Sequence, residues 1–281
     1  MLEIYKFDIF TTPCEVQIYC ADKNLADSCA KDILKEAKRL ELKYNYFNPN
    51  SYLSKLNKRI LNLLDSETKN LLVSAKNYYK STNGAFDITM ATIKDIYKKA
   101  NSLNDIEEEK NTLMPYVGCE HFNIKKNKLY FDNDFTKIDL GGMVKEYSVD
   151  RAVSIIKKYK IKSALVNFGG DIFAVGKKPN GETFSVGVTN PKEKTKTLFS
   201  IEIENQALTT SASYERNIII ESKEFSHILS KDDKQKDILS ATIVSDSCLK
   251  SGVYTTALMV DNNLSIKEIK YLIDKNLEVI R

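Results

Sequence analysis

Apolar and polar positions alternate over residues 4–20, which predicts strands at the start of the chain. Ala26, Ala30, Ile33, Leu34, Ala37 and Leu40 then recur at helical spacing, predicting a helix over roughly 24–43. Asp65 or Ser66 caps a second helix with Leu71, Leu72, Ala75, Tyr78 and Tyr79 on one face, ending at Asn83-Gly84. Residues 87–100 read as a third, shorter helix, 101–117 as an Asn-, Glu- and Asp-rich solvent-facing segment, and 121–138 as short strands. Val149, Ala152, Val153 and Ile156 mark a helix to about Tyr159. Beyond it, short β-branched runs at 163–168, 183–189, 197–204, 214–221 and 239–245 are separated by turns such as Pro179-Asn180-Gly181 and Asn190-Pro191. Residues 249–260 and 264–275 close the chain as helices, the latter with Ile266, Ile269, Leu272 and Ile273 on one side. The sum is an α+β protein in one unit over 1–281, helix-rich to about residue 160 and strand-rich from about 161.

Two glycine pairs punctuate this pattern. Asp139-Leu140-Gly141-Gly142-Met143-Val144-Lys145 reads as an apolar strand-like run opening directly onto a helix, and Val166-Asn167-Phe168-Gly169-Gly170-Asp171 ends a second such run. A glycine pair lets the backbone approach a ligand closely, and a helix N-terminus behind it offers N–H groups to an anion. Two such turns point to a phosphate-bearing ligand. Neither has the G-x-G-x-x-G spacing of a dinucleotide fingerprint or the GK[ST] ending of a P-loop.

Composition narrows the classes. With 42 Lys and Arg against 38 Asp and Glu, the formal charge is +4 and the lysines are scattered, which argues against nucleic acid or an anionic membrane as partner. Five cysteines, at 14, 20, 29, 119 and 248, contain no C-x-x-C, and the chain has two histidines, so reduced thiols are expected in place of disulfides or a zinc site. No run has the length of a transmembrane span. The N-terminal stretch reads as a first strand, which implies a cytoplasmic protein as written, or a periplasmic or membrane-associated one if a leader precedes it.

Several side chains are candidates for chemistry. Asp87, Asp139 and Asp171 sit at glycine-marked turns; each reads alone as a cap, and together they fit a site needing metal or ribose contacts. His227 reads either as a catalyst or as a partner for a backbone carbonyl, and His121 carries no role. Thr209-Thr210-Ser211-Ala212-Ser213 is a hydroxyl-rich run leading into a strand, without a nucleophile elbow around Ser211. Tyr46, Phe47 and Tyr52 suit either stacking on a planar ring or the core.

The order of these pieces resembles the ApbE family of flavin transferases, which take FMN from FAD and attach it to a Thr or Ser of an acceptor protein. The resemblance runs from Phe7 to about Val260. Its elements are Pro49 to Asn57 (family pattern near P-x-S-E-L-S-x-L-N), Gly84 to Thr89 (G-A-F-D-P-T), Asp139 to Lys145 (D-L-G-G-I-A-K-G), Ala164 to Asp171 (A-L-V-N-x-G-G-D), Ser211 to Arg216 (S-G-D-Y-x-R), Ser226 to Leu229 (S-H-I-L-D-P) and Thr256-Ala257 (A-D-A-x-x-T-A). It implies an ApbE-like, T-fold-related architecture of mixed or antiparallel sheets flanked by helices. It also implies that Gly141, Gly142 and Lys145, with Asp139, lie against the FAD diphosphate, and that Asn167, Gly169, Gly170 and Asp171 line the adenosine and ribose side. Phe47 falls where the family packs an aromatic on the flavin nucleotide, Thr89 and Ser211 fall near the cofactor, and His227 takes the catalytic position. A Mg²⁺ is implied on the Val144 main-chain carbonyl, on Thr256 and on an Asp four residues earlier.

That Asp is Gly252 in this chain, and the Gly that follows the motif lysine in the family is Glu146. The segment after Leu229 also departs, reading Ser230-Lys231-Asp232-Asp233-Lys234, and the family's Met-Gly-Thr near the start is Phe10-Thr11-Thr12. Mg²⁺ prefers hard oxygen ligands, so a missing carboxylate bears on the chemical step. Asp232, Asp233 or Asp246 are candidates to replace it. The alternatives to FMN transfer are a catalytically degenerate flavin- or nucleotide-binding protein of the same fold, and a hydrolase splitting FAD into FMN and AMP.

Overall fold

In the computed structural model, residues 1–100, 102–213, 217–221, 223–226 and 238–281 are described. Strands β1 (Leu2–Ile9) and β2 (Thr12–Tyr19) form a hairpin and lead into α1 (Lys23–Tyr44). The small helices α2 (Tyr52–Asn57), α4 (Ala91–Lys94) and α5 (Ile96–Lys99) alternate with the longer α3 (Ser66–Ser81) and α6 (Leu103–Leu113), ahead of β3 (Phe122–Lys125) and β4 (Lys128–Phe131). Helix α7 (Gly141–Lys158) then precedes β5 (Ala164–Phe168), β6 (Asp171–Val175), β7 (Phe184–Thr189), β8 (Thr197–Ile203), β9 (Gln206–Ala212), β10 (Asn217–Ile220), β11 (Lys223–Ser226) and β12 (Ile238–Ser245). The chain continues through α8 (Cys248–Val260), β13 (Ile269–Asp274) and β14 (Val279–Ile280).

Among the described residues, one eight-stranded sheet in the order β1-β2-β5-β6-β9-β12-β13-β14 organises the fold, and every pairing in it is antiparallel. Consecutive residues of β6 face opposite ways, as the two-residue period of a strand demands. Phe173 and Val175 enter an apolar cluster with Val149, Ala152, Val153 and Ile156 of α7 and Ile33 and Ala37 of α1. Ile172 and Ala174 enter another with Phe184, Val186 and Val188 of β7 and Ile201 and Ile203 of β8. The sheet is thus covered by helices on one face and by the β7-β8 hairpin on the other. That two-sided burial explains why β6 is apolar without interruption.

The predicted helices at 24–43, 65–83, 143–159 and 249–260 are α1, α3, α7 and α8. Asp22 caps α1 by accepting from the Asn24 and Leu25 N–H groups, and Asp65 caps α3 through Thr68. The N-terminus of α8 is held from another element. Asp150 of α7 accepts from the Ser247 hydroxyl and from the Cys248 and Leu249 N–H groups, which fixes α8 against α7. All five cysteines are free thiols.

Four expectations are corrected. Residues 264–275 contain the strand β13 and no helix: Leu272 packs in the cluster beneath α8 while its neighbour Ile273 packs against the β7-β8 hairpin. An edge region buried on both faces reproduces helical spacing by coincidence. The single helix expected at 87–100 is broken into a 3₁₀ turn, α4 and α5. The segment at 101–117 faces solvent as expected, but it contains α6, a helix not expected there, started by a reciprocal Ser102–Asp105 capping box. The hydroxyl-rich run at 209–213 lies within β9 as far as Ala212, interior to the sheet, where Thr210 bonds Thr242 across to β12 at 2.8 Å.

The second glycine pair is a two-residue hairpin turn joining β5 to β6, with φ of +62° at Gly169 and +91° at Gly170. Such primed turns need positive φ at both central residues. A Cβ on Gly169 would lie 2.3 Å from the Thr12 hydroxyl, and the Gly169 N–H donates to the Pro13 carbonyl at 3.1 Å. The β5-β6 turn is therefore pressed onto the start of β2.

Two predictions follow from these contacts. Gly169→Ala lowers stability by about 1–3 kcal/mol, read as a fall in Tm, because it combines a left-handed backbone with a steric conflict at Thr12. The second concerns Glu67, which ties α3 to α1 through Arg39 at 2.6 Å and Lys43 at 2.8 Å. Burial pushes its carboxyl up, but the hydrogen bonds from Arg39 and Lys43 outweigh burial and hold it at about 2 against an ordinary 4.5. A depressed carboxylate pKa stabilises the fold above its unfolded value and loses that contribution as pH falls through the folded one. The Tm deficit of Glu67→Gln is therefore largest at neutral pH and shrinks as pH falls from 4.5 towards 2.

Candidate functional site

The first glycine pair lies at the N-terminus of α7. The preceding residues 136–139 belong to no strand, a correction to the strand-like reading. Their hydrogen bonds go instead to a side chain and a turn: Asn57 accepts from the Ile138 N–H at 2.9 Å and donates to its carbonyl at 2.8 Å, while the Asp139 N–H donates to the Ile88 carbonyl. Asn57 acts as a one-residue strand partner that aims the chain into α7. Its place in the Pro49–Asn57 motif was the available signal for this positioning role.

Gly141 and Gly142 are exposed, and Asp139 folds back to accept the Gly141 N–H at 2.9 Å. The outer carboxylate oxygen of Asp139 pairs with Lys94 of α4. Lys94 Nζ also lies 4.9 Å from the centre of the Phe47 ring, which is 58% exposed and braced edge-on by Tyr46. Phe47, Lys94, Asp139 and Gly141 thus share one rim. Sequence reasoning found three of them and missed Lys94, which no motif marks.

One turn into α7 the chemistry is buried. Lys145 Nζ lies 2.7 Å from Asp171 at the start of β6, so the two glycine turns are joined by an ion pair. Asp171 is 2% exposed. Burial opposes the Lys145 charge, but Asp171 and Glu146 outweigh it and raise its pKa. Glu146 points towards α8 and is 7% exposed, and its Oε2 is enclosed with no hydrogen-bond partner. Burial lifts the Glu146 carboxyl well above the carboxylate range, the neighbouring Asp171 charge adds to the shift, and Lys145 opposes it. Burial likewise raises Asp171, against Lys145.

Around this centre Asn167 accepts the Gly170 N–H at 2.8 Å, closing the β5-β6 turn. Ser211 of β9 donates to the Thr255 hydroxyl at 2.9 Å, and Thr255 donates to the Gly252 carbonyl at 2.9 Å. Gly252 and Thr256 are four residues apart in α8 and share one face, and Glu146 of α7 lies against Gly252. Thr89 is fully enclosed; its hydroxyl bonds Asp87 and accepts the Gly118 N–H at 2.7 Å. Asp87 caps the 3₁₀ turn. His227, Asp232 and Asp233 lie outside the described residues. Asp246 is 78% exposed and paired with Lys250 at 2.7 Å.

The residues present fit a divalent cation. A buried carboxyl oxygen without a donor is costly unless a proton or a positive charge satisfies it, and Glu146 Oε2 is such an atom, on a side chain that lies against Gly252, one turn before Thr256 in α8. Among the described residues no three His, Cys, Asp or Glu side chains form a self-sufficient metal cluster. A cation here would rest on mixed ligands: a carboxylate, a carbonyl, a hydroxyl and oxygens of its own partner. Among the same residues, no helix is long and apolar enough to cross a membrane.

Comparison with known proteins finds similar chains. The FAD:protein FMN transferase of Chlamydia pneumoniae is 28% identical over 242 residues, 80% of this chain and 74% of that protein. The protein of the same name from Buchnera aphidicola subsp. Schizaphis graminum is 25% identical over 240 residues, 79% of this chain and 69% of its own length. The ApbE protein of Thermotoga maritima superposes with a TM-score of 0.90 at 21% identity, covering 100% of this chain and 97% of that one. The flavin transferase ApbE of Vibrio cholerae gives 0.83 at 19% identity, over 100% and 96%. These superpositions show the fold, mixed helices and antiparallel sheets of ApbE type. The ApbE family matches residues 10–280, nearly the whole chain, and the protein belongs to that family.

Proposed function

We propose that the protein is an FAD:protein FMN transferase, and the observation that carries this reading is the pairing of an exposed glycine-pair helix N-terminus with the buried Lys145–Asp171 contact behind it. The N-terminus of α7 presents backbone dipole and bare glycine backbone to an anion, which suits the FAD diphosphate. Lys145, held by Asp171, adds fixed positive charge beneath it. The exposed Phe47 ring, with Lys94 at its face, offers a stacking surface for the flavin nucleotide. Asn167, Gly169 and Gly170 form the turn assigned to the adenosine and ribose, and Ser211 and Thr89 are the further residues assigned near the cofactor.

In the reaction a Thr or Ser hydroxyl oxygen of the acceptor attacks the phosphorus of the FMN half. The P–O bond to the AMP phosphate breaks, AMP leaves with that oxygen, and the hydroxyl proton is lost to a base. His227 is the residue proposed for the catalytic position. The Val144 carbonyl and the Thr256 hydroxyl would hold Mg²⁺. When bound, the cation neutralises charge on the diphosphate oxygens as the bond breaks.

Incubating the full chain with FAD and Mg²⁺, with and without a Thr-containing acceptor peptide, tests the reading by AMP release and peptide mass. Transfer gives AMP and a flavinylated peptide only when the peptide is present. FMN and AMP without the peptide identify a hydrolase, and retention of FAD without turnover identifies a binding protein. Consumption of no FAD together with no retention on desalting overturns all three. Phe47→Ala weakens FAD binding by about tenfold, the worth of one stacked base, and leaves Tm unchanged because the ring is exposed.

A further inference from the structure

The Glu146 side chain lies across the bare backbone of Gly252. A Cβ at position 252 would stand 2.4 Å from Glu146 Cγ, 3.0 Å from its Cδ and 3.2 Å from its Oε1. None of those atoms is the free end of an unconstrained side chain, because Glu146 is enclosed between α7 and α8. Position 252 must therefore be glycine for Glu146 to lie where it does. The two departures noted in the sequence, a glutamate after the motif lysine and a glycine where a carboxylate is expected, are one event in space.

The exchange conserves the carboxylate. An Asp on α8 at position 252 and a Glu on α7 at position 146 deliver their carboxyl groups to the same gap, and the extra methylene of Glu makes up for its different origin. The remaining carboxylates nearby are committed. Asp171 Oδ2 is likewise enclosed without a well-aligned hydrogen bond but carries the Lys145 ion pair at 2.7 Å, Asp150 takes three donors at the start of α8, and Asp246 is exposed and paired with Lys250. Glu146 Oε2 has no donor. An enclosed carboxyl oxygen in that state calls for a proton, a water or a cation, and next to a diphosphate site a cation fits.

We propose that Glu146 supplies the protein carboxylate of a divalent-cation site with the Val144 carbonyl and the Thr256 hydroxyl, and that Gly252 serves as the clearance that admits it. The proposal rests on the flavin reading for its location and names a ligand set particular to this chain. Gly252 is then a compensated position and not a lesion. Placing Asp there alone drives a second side chain into space Glu146 fills, so it destabilises the fold and restores nothing.

The test reads cation binding directly, by Mn²⁺ electron paramagnetic resonance on the full chain with FAD, alongside FAD binding by flavin fluorescence and Tm. Glu146→Gln is expected to weaken Mn²⁺ binding by at least about tenfold while FAD binding persists. Gly252→Asp alone is expected to lower Tm without tightening Mn²⁺ binding. The double variant Glu146→Gly with Gly252→Asp, which returns the carboxylate to α8, is expected to regain Mn²⁺ binding. Wild-type affinity for Mn²⁺ in Glu146→Gln overturns the proposal. If Glu146→Gln does not fold, the double variant decides alone: folded without Mn²⁺ binding, or not folded, it overturns the exchange. FAD binding without Mn²⁺ binding in the wild type overturns the proposal and leaves the flavin reading standing, whereas loss of both overturns the flavin reading itself.

Discussion

The buried contact between Lys145 and Asp171 is the constraint on which the rest of the site depends. It joins α7, one turn from its start, to the first residue of β6, and so ties the two glycine turns together. A charge pair at this depth costs desolvation on both sides, so it persists only where geometry is tight. The geometry is supplied from several directions. Asn57 aims the chain into α7, the Gly169 N–H anchors the β5-β6 turn on Pro13, and Asp150 locks α8 to α7.

Helix packing then sets what can stand beside that pair. With α8 fixed against α7 by Asp150, the gap between them at residues 146 and 252 admits one side chain and no more. The chain fills it from α7. Carboxylate chemistry at this point is thus a question of which helix contributes the group. Counting residues along a motif registers only a loss at position 252.

Legibility followed the strength of local signals. The long helices α1, α3, α7 and α8 were readable because their apolar stripes are local, and α1 and α3 carry local side-chain caps as well. Strand β6 was masked because burial on both faces removes alternation, and β9 was masked because its inward positions are Thr and Ser, satisfied across strands and by α8. At 264–275 the spacing of Ile269, Leu272 and Ile273 mimicked a helix, yet Leu272 and Ile273 serve different cores on opposite faces. In the site, the glycine pairs, Lys145 and Asp171 stood out in the sequence, whereas Lys94 did not. Its role comes from lying beside Asp139 and Phe47, positions 45 and 47 residues away in the chain.

By itself, then, the sequence determined the α+β class, the main helices and the family, because these rest on local periodicity and on motifs in a fixed order. It also determined which residue types were available for an anion and a cation. Only the tertiary structure decided that Asp171 belongs to Lys145, and that the Glu at 146 and the Gly at 252 occupy the two sides of one gap. Those facts are distances between elements brought together by a sheet and two packed helices, and nothing in the one-dimensional spacing of 146 and 252 carries them.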